Sequence, residues 1–132
     1  MKPPVTILVV DDNPTNLKLA ADVLAFEGYT MLRAHDATEA QAVLAQTLPA
    51  LILMDIQMPG MDGLTLTRLL KKNPVYAAIR IVALTAFAMK GDDRKAYEAG
   101  CDGYISKPIE ARKLPGQIAE ILQRVQSPQE IP

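Results

Sequence analysis

The sequence predicts an α/β domain built on a doubly wound, five-stranded parallel sheet, and three features carry that expectation. Short apolar runs alternate with helix-like segments from one end of the chain to the other, which is the rhythm of parallel βαβ units. The runs Val5 to Val10 and Ile79 to Leu84 contain almost nothing polar, as strands covered on both faces must. Two runs lead straight into carboxylates, Asp11 and Asp12 after Val10 and Asp55 after Met54. The ends of strands are where open α/β sheets keep their ligand crevice.

Taken in order, the strands are expected at Val5 to Val10, Tyr29 to Ala34, Ala50 to Met54, Ile79 to Leu84 and Gly103 to Ile105. The first helix begins near Pro14, whose missing N–H needs no partner there, with Asn13 or Asp12 as cap, and Gly28 ends it. The second is roughly Ala37 to Gln46, capped by Asp36 and stopped before Pro49. The third starts after Gly60 with Asp62 as cap and frays before Asn73-Pro74. The fourth spans about Asp92 to Ala99, and Gly100 supplies a left-handed stop. Pro115-Gly116 interrupts the last helix, which therefore starts late, near Leu114, or is kinked there. The polar tail Gln126 to Pro132 is expected to fray.

A chain of 132 residues, 49% hydrophobic with formal net charge −1, suits one compact domain. With no run of Lys or Arg, it lacks the footprint that neutralises nucleic-acid phosphates. Cys101 is the single cysteine, so no internal disulfide or zinc spacing is available. The start Met1-Lys2-Pro3-Pro4 leads to an apolar stretch too short for a signal peptide or membrane span. A soluble cytoplasmic protein is the expectation.

Right-handed crossovers bring the loops after all strands to one edge, so Asp11, Asp12, Asp55, Thr85 and the residues after Ile105 meet there. Close carboxylates repel by about 4 kcal/mol per pair at an effective dielectric near 20, so such a cluster calls for a cation. Magnesium suits it, being hard, oxygen-seeking and ready to bridge to phosphate, with no His or thiolate among the donors. A carboxylate in that place can also act as a nucleophile toward phosphorus. Phosphoryl transfer requires in-line positioning and neutralised equatorial oxygens. Mg²⁺, the Lys107 ammonium and the Thr85 hydroxyl would neutralise them.

Four pieces in this order, Asp11-Asp12, Asp55 within LILMDIQMPGMDG, Thr85-Ala86 and Lys107-Pro108, make the chain resemble the receiver domain of two-component response regulators from Val5 to about Val125. The resemblance implies a (βα)5, flavodoxin-like sheet of order 2-1-3-4-5. It implies phosphorylation of Asp55 by a histidine kinase or histidine phosphotransfer protein. Asp12 and Asp55 would ligate Mg²⁺ directly, Asp11 directly or through water, and the backbone carbonyl of Gln57 would complete the set. Thr85 and Tyr104 would be the switch pair, Tyr104 rotating inward when Thr85 moves. Gln57 and Phe87, each two residues beyond a site residue, would flank the path of the hydrolytic water. The resemblance also implies a cis Lys107-Pro108 bond.

Plainer roles compete for individual residues. Thr85 alone reads as a helix cap, Lys107-Pro108 as a turn and Tyr104 as half-buried packing. Asp62 reads as a cap. His35, past the second strand and away from the acidic edge, reads as a surface residue, and Cys101 as a small apolar filler. Met58, Met61 and Met89 read as packing before docking.

The leading functional expectation is a phosphorylation-switched module that signals to a downstream protein through the fourth helix, last strand and last helix, as a monomer or weak dimer. TAFAMKGD and GCDGYISKPI are similar to stand-alone receivers of the bacterial cell-cycle type and to receivers of hybrid kinases. The stand-alone form is favoured because the chain opens on Met1 and closes soon after the last helix. The alternatives are a receiver from a hybrid kinase or phosphorelay and, ranked lower, an aspartyl-phosphate phosphatase or phosphotransferase acting on a small molecule. The leading reading makes the chain no enzyme beyond its own phosphorylation and dephosphorylation.

Overall fold

A computed structural model describes residues 5–85 and 92–123, with the side chains of 92 and 93 excepted. The expected tail, Ala86, Phe87 and Met89 lie outside the described residues. The elements run β1 (Thr6–Val10), α1 (Pro14–Phe26), β2 (Thr30–Ala34), α2 (Ala37–Gln46), β3 (Leu51–Asp55), α3 (Gly63–Lys72), β4 (Arg80–Thr85), α4 (Asp92–Ala99), β5 (Gly103–Ser106) and α5 (Leu114–Gln123). The sheet is parallel throughout, in the order β2-β1-β3-β4-β5. The strand order reverses between β1 and β3, which opens a crevice beyond their carboxyl ends.

Alternate residues of each central strand feed two separate cores. Leu8, Val10, Ile52, Met54, Ile81 and Ala83 pack beneath α2, α3 and α4. Ile7, Val9, Leu51, Leu53, Val82 and Leu84 pack beneath α1 and α5. Both faces are covered, which is why these strands are apolar without alternation. Each fully buried aliphatic side chain contributes about 1.5–3 kcal/mol.

Local chemistry sets the ends. Asn13, not Asp12, caps α1, its side-chain oxygen accepting from the N–H groups of Thr15 and Asn16 at 2.9 and 3.1 Å. Asp36 caps α2 through the Glu39 N–H, and Asp62 caps α3 through the Thr65 N–H, each at 2.8 Å. Gly28, Gly60 and Gly100 all have positive φ, and Gly28 and Gly100 follow the ends of α1 and α4, as helix stops do. Helix α5 starts late, at Leu114, with Pro115 in its first turn. The strands sit about one residue later than expected at both ends of β3 and β4, because Asp55 pairs with Leu84 and Thr85 with Ser106. Among the described residues, no helix is long and apolar enough to cross a membrane.

Candidate phosphoryl and metal site

Three strand ends build the site. Asp11 follows β1, where its N–H donates to the Ala34 carbonyl at 3.1 Å and its Oδ1 accepts from the Asn13 N–H at 2.9 Å. Its side chain is thereby locked under the turn into α1 and fully buried. Asp12, the next residue, is exposed at the rim. Asp55 is the last residue of β3 and is 2% exposed; its Oδ1 accepts from the Gln57 N–H at 3.1 Å. One carboxylate oxygen from each of Asp11, Asp12 and Asp55 lies within 4.8 Å of the others.

The fourth member arrives from β5. Lys107 donates its N–H to the Thr85 carbonyl at 2.7 Å, and the Lys107-Pro108 bond is cis. Its ammonium lies 3.1 Å from Asp11 Oδ2 and 3.4 Å from Asp55 Oδ1. Thr85 ends β4 beside Asp55, one position beyond Leu84 in the ladder, and is buried. Tyr104 pairs with Ala83 on β5 and is half-buried against the core shared with α2, α3 and α4.

One ammonium faces two buried carboxylates and an exposed third, and the balance is visible in two atoms. Asp11 Oδ2 is buried and accepts no hydrogen bond, facing only the charge of the Lys107 ammonium at 3.1 Å among the described residues, so a second cation would relieve the cost of burying it. The Asp55 carboxyl is pushed up to about 7, chiefly by burial, opposed by the Gln57 N–H and reinforced by the charge of Asp11. An all-oxygen set with a buried, under-satisfied acceptor fits a hard divalent cation.

A model of the response regulator receiver domain matches residues 7–119. The chain belongs to the response regulator receiver family. It is 42% identical over 106 residues, 80% of this chain and 86% of the relative, to the polar-differentiation response regulator DivK of Brucella anthropi. Its fold superposes with a TM-score of 0.87 on a putative response regulator of Chloroflexus aurantiacus, 33% identical, covering 92% of this chain and all of that one. A signal receiver domain of a Syntrophus aciditrophicus signal transduction histidine kinase gives a TM-score of 0.81 at 32% identity, covering 96% and 98%.

Of the residues expected at the receiver's site, Asp11, Asp12, Asp55 and Lys107 come together, Gln57 joins them through its N–H, and Thr85 stands at the adjoining strand end. Phe87 lies outside the described residues. Asp62 serves as the α3 cap and Met58 is core. The Cys101 thiol is buried and pushed up to about 11 by that burial, consistent with packing. His35 is exposed and pairs with Glu39, its Nδ1 being 2.8 Å from Oε1. Its expected distance from the acidic edge is corrected: Ala34, its neighbour, accepts from the Asp11 N–H, because β2 and β1 end at the same edge of a parallel sheet.

One residue of the site gave no chemical signal. A Cβ on Gly63, the first residue of α3, would overlap the Asp55 carbonyl oxygen and lie 2.8 Å from Ile56 Cα. Its N–H donates to the Ile56 carbonyl at 3.3 Å. Only glycine lets the start of α3 rest directly on the backbone that carries Asp55.

Proposed function

We propose that the chain is a phosphorylation-switched receiver in which Asp55 accepts the phosphoryl group, Asp11, Asp12, Asp55 and the Gln57 carbonyl hold Mg²⁺, and Lys107 and Thr85 stabilise the transferred group. The observation that supports it most is the convergence of Asp11, Asp12 and Asp55 with the Lys107 ammonium at one sheet edge.

A carboxylate oxygen of Asp55 attacks phosphorus in line with the phosphohistidine nitrogen of a donor protein; the new P–O bond forms as the P–N bond breaks, and the imidazole leaves. Bound Mg²⁺ supplies charge neutralisation to the equatorial oxygens and to the carboxylates around them. Lys107 contributes a fixed point charge already placed between Asp11 and Asp55. Thr85, buried at the end of β4, is a neutral donor able to follow the phosphoryl oxygens. The phosphate brings a charge of about −1.5 to −2, enough to bias a two-state equilibrium. Thr85 and Tyr104 then carry the change to the α4-β5-α5 surface, where a downstream protein docks. Gln57 and Phe87 set the lifetime of the phosphoryl group. The chain acts on no other substrate, and its setting is the cytoplasm.

A receiver carried by a hybrid kinase or phosphorelay would use the same residues. The likeness to a receiver from a histidine kinase supports that second reading. Mixing the chain with a radiolabelled, histidine-phosphorylated donor tests the proposal. Label is expected to move to the chain with Mg²⁺ and not with EDTA, and transfer that ignores the metal would contradict it.

A further inference from the structure

At the opposite end of the sheet from Asp55, Lys71 in the last turn of α3 has its three ammonium hydrogens matched by three acceptors. These are the Ala77 carbonyl at 3.1 Å, the Ile79 carbonyl at 2.7 Å and Asp102 Oδ2 at 3.0 Å. The same Asp102 oxygen accepts from the Ile81 N–H at 2.9 Å, and the Asp102 N–H donates to the Ile81 carbonyl at 2.7 Å. The stem of Lys71 lies over Gly100: a Cβ there would stand 2.8 Å from Lys71 Cγ. One side chain thus ties together the end of α3, the start of β4 and the turn from α4 into β5. From the other face, Gly103 at the start of β5 is packed so closely that a Cβ would stand 2.7 Å from Ile121 Cδ1 of α5.

We propose that Lys71 and Asp102 are the fixed end of the switch, holding the amino ends of β4 and β5 while phosphorylation moves only their carboxyl ends, where Thr85 and Ser106 stand. The inference rests on the reading of Asp55 as the phosphoacceptor. Its argument is mechanical. The register Val82 with Gly103 lies next to the clamp and Thr85 with Ser106 at the far end. A local change at Thr85 can swing the end of β5 only if the strand's other end cannot slide to absorb it. Lys71 resists sliding because its side chain is only 20% exposed, and it loses the Ala77 and Ile79 carbonyls if the entry to β4 shifts or the Asp102 carboxylate if the α4-β5 turn shifts. It is a positioning residue, remote from the reacting atoms.

Amide hydrogen exchange of wild type and Lys71→Met, each with Mg²⁺ alone and with Mg²⁺ plus acetyl phosphate, tests this, with intact mass reporting the phosphoryl adduct. Methionine keeps the apolar stem over Gly100. In wild type, the amides of Ile81 and Asp102 are expected to exchange at the same rate in both states, while Ser106 and Lys107 change by roughly tenfold or more. In Lys71→Met, Ile81 and Asp102 are expected to exchange at least about tenfold faster and to respond to phosphorylation, with the adduct still formed. Asp102→Asn, which weakens the same clamp more gently, should give the same pattern in lesser degree. With the adduct present, equal responses at both ends of wild-type β5, or unaltered exchange in both variants, would overturn the clamp alone. Failure of wild type to form the adduct would overturn the phosphoacceptor reading and the switch with it.

Discussion

Lys107 and Asp55 meet on a single oxygen: the ammonium lies 3.4 Å from Asp55 Oδ1, which also accepts the Gln57 N–H at 3.1 Å. Those two donors do not offset the loss of water around Asp55 or the neighbouring charge of Asp11, since the carboxyl remains pushed up to about 7. The metal-free site is therefore poised between protonated and ionised forms. A bound cation would complete what Lys107 begins.

Metal-free protein should lose stability as pH rises toward neutrality. A carboxyl whose folded-state value is raised from 3.8 to about 7 stabilises the fold fully below the lower value and loses that contribution as pH passes through the higher one. Between about pH 7 and pH 5 this group gives about 2 kcal/mol on acidification. Exposed Asp22 and Glu39, whose carboxyls are lowered by Lys18 and His35 respectively, act in the opposite sense only below that window. Urea midpoints in EDTA should rise over this range, and saturating Mg²⁺, which needs the ionised carboxylate, should reverse the trend. A flat profile in EDTA would argue against the buried, cation-seeking Asp55.

Asp12→Ala should separate metal binding from folding. Asp12 is exposed and contributes an oxygen to the cluster, so its loss removes a proposed ligand and one repelling charge together. Mg²⁺ affinity, read by titration calorimetry, is expected to fall at least about tenfold while the melting temperature in EDTA stays level or rises.

Gly63→Ala should damage the site through the backbone. The added methyl meets the main chain of Asp55 and Ile56, and no flexible side chain stands there to give way. A cost of about 1–3 kcal/mol or more is expected from overpacking, together with weaker Mg²⁺ binding as Asp55 shifts. An unchanged urea midpoint would show that the α3 start can move aside freely.

How far the sequence foretold this arrangement depends on the range of the interaction. Helix α2 and helix α4 have the expected bounds because Asp36 and Gly100 are local signals read within a few residues. Asp11, Asp12, Asp55 and Lys107 were legible because the ends of parallel strands share one edge, and topology brings together what the chain separates. Strand limits shifted because ladder partners, not composition, decide where pairing stops. Gly63 against Asp55 and Lys71 with Asp102, 31 residues apart, were not legible, since neither close backbone approach nor a side chain reaching across elements leaves a spacing pattern.

Phe87→Glu should shorten the life of the phosphoryl group. In the proposed function Phe87 flanks the path of the hydrolytic water, where an apolar ring would offer neither donor nor acceptor, and in-line attack tolerates only a narrow water position. A carboxylate there can orient the water, so phosphoryl loss is expected to accelerate roughly threefold or more at fixed Mg²⁺. A rate unchanged or slower than wild type, measured by decay of label, would assign the lifetime to other residues.

The most direct measurement is intact-protein mass spectrometry of wild type and Asp55→Asn after incubation with acetyl phosphate and Mg²⁺. The amide is near in shape to the carboxylate but is not a nucleophile at phosphorus. One phosphoryl adduct is predicted on wild type, none on Asp55→Asn, and none on wild type in EDTA. An undiminished adduct on Asp55→Asn would place the acceptor elsewhere and contradict the account.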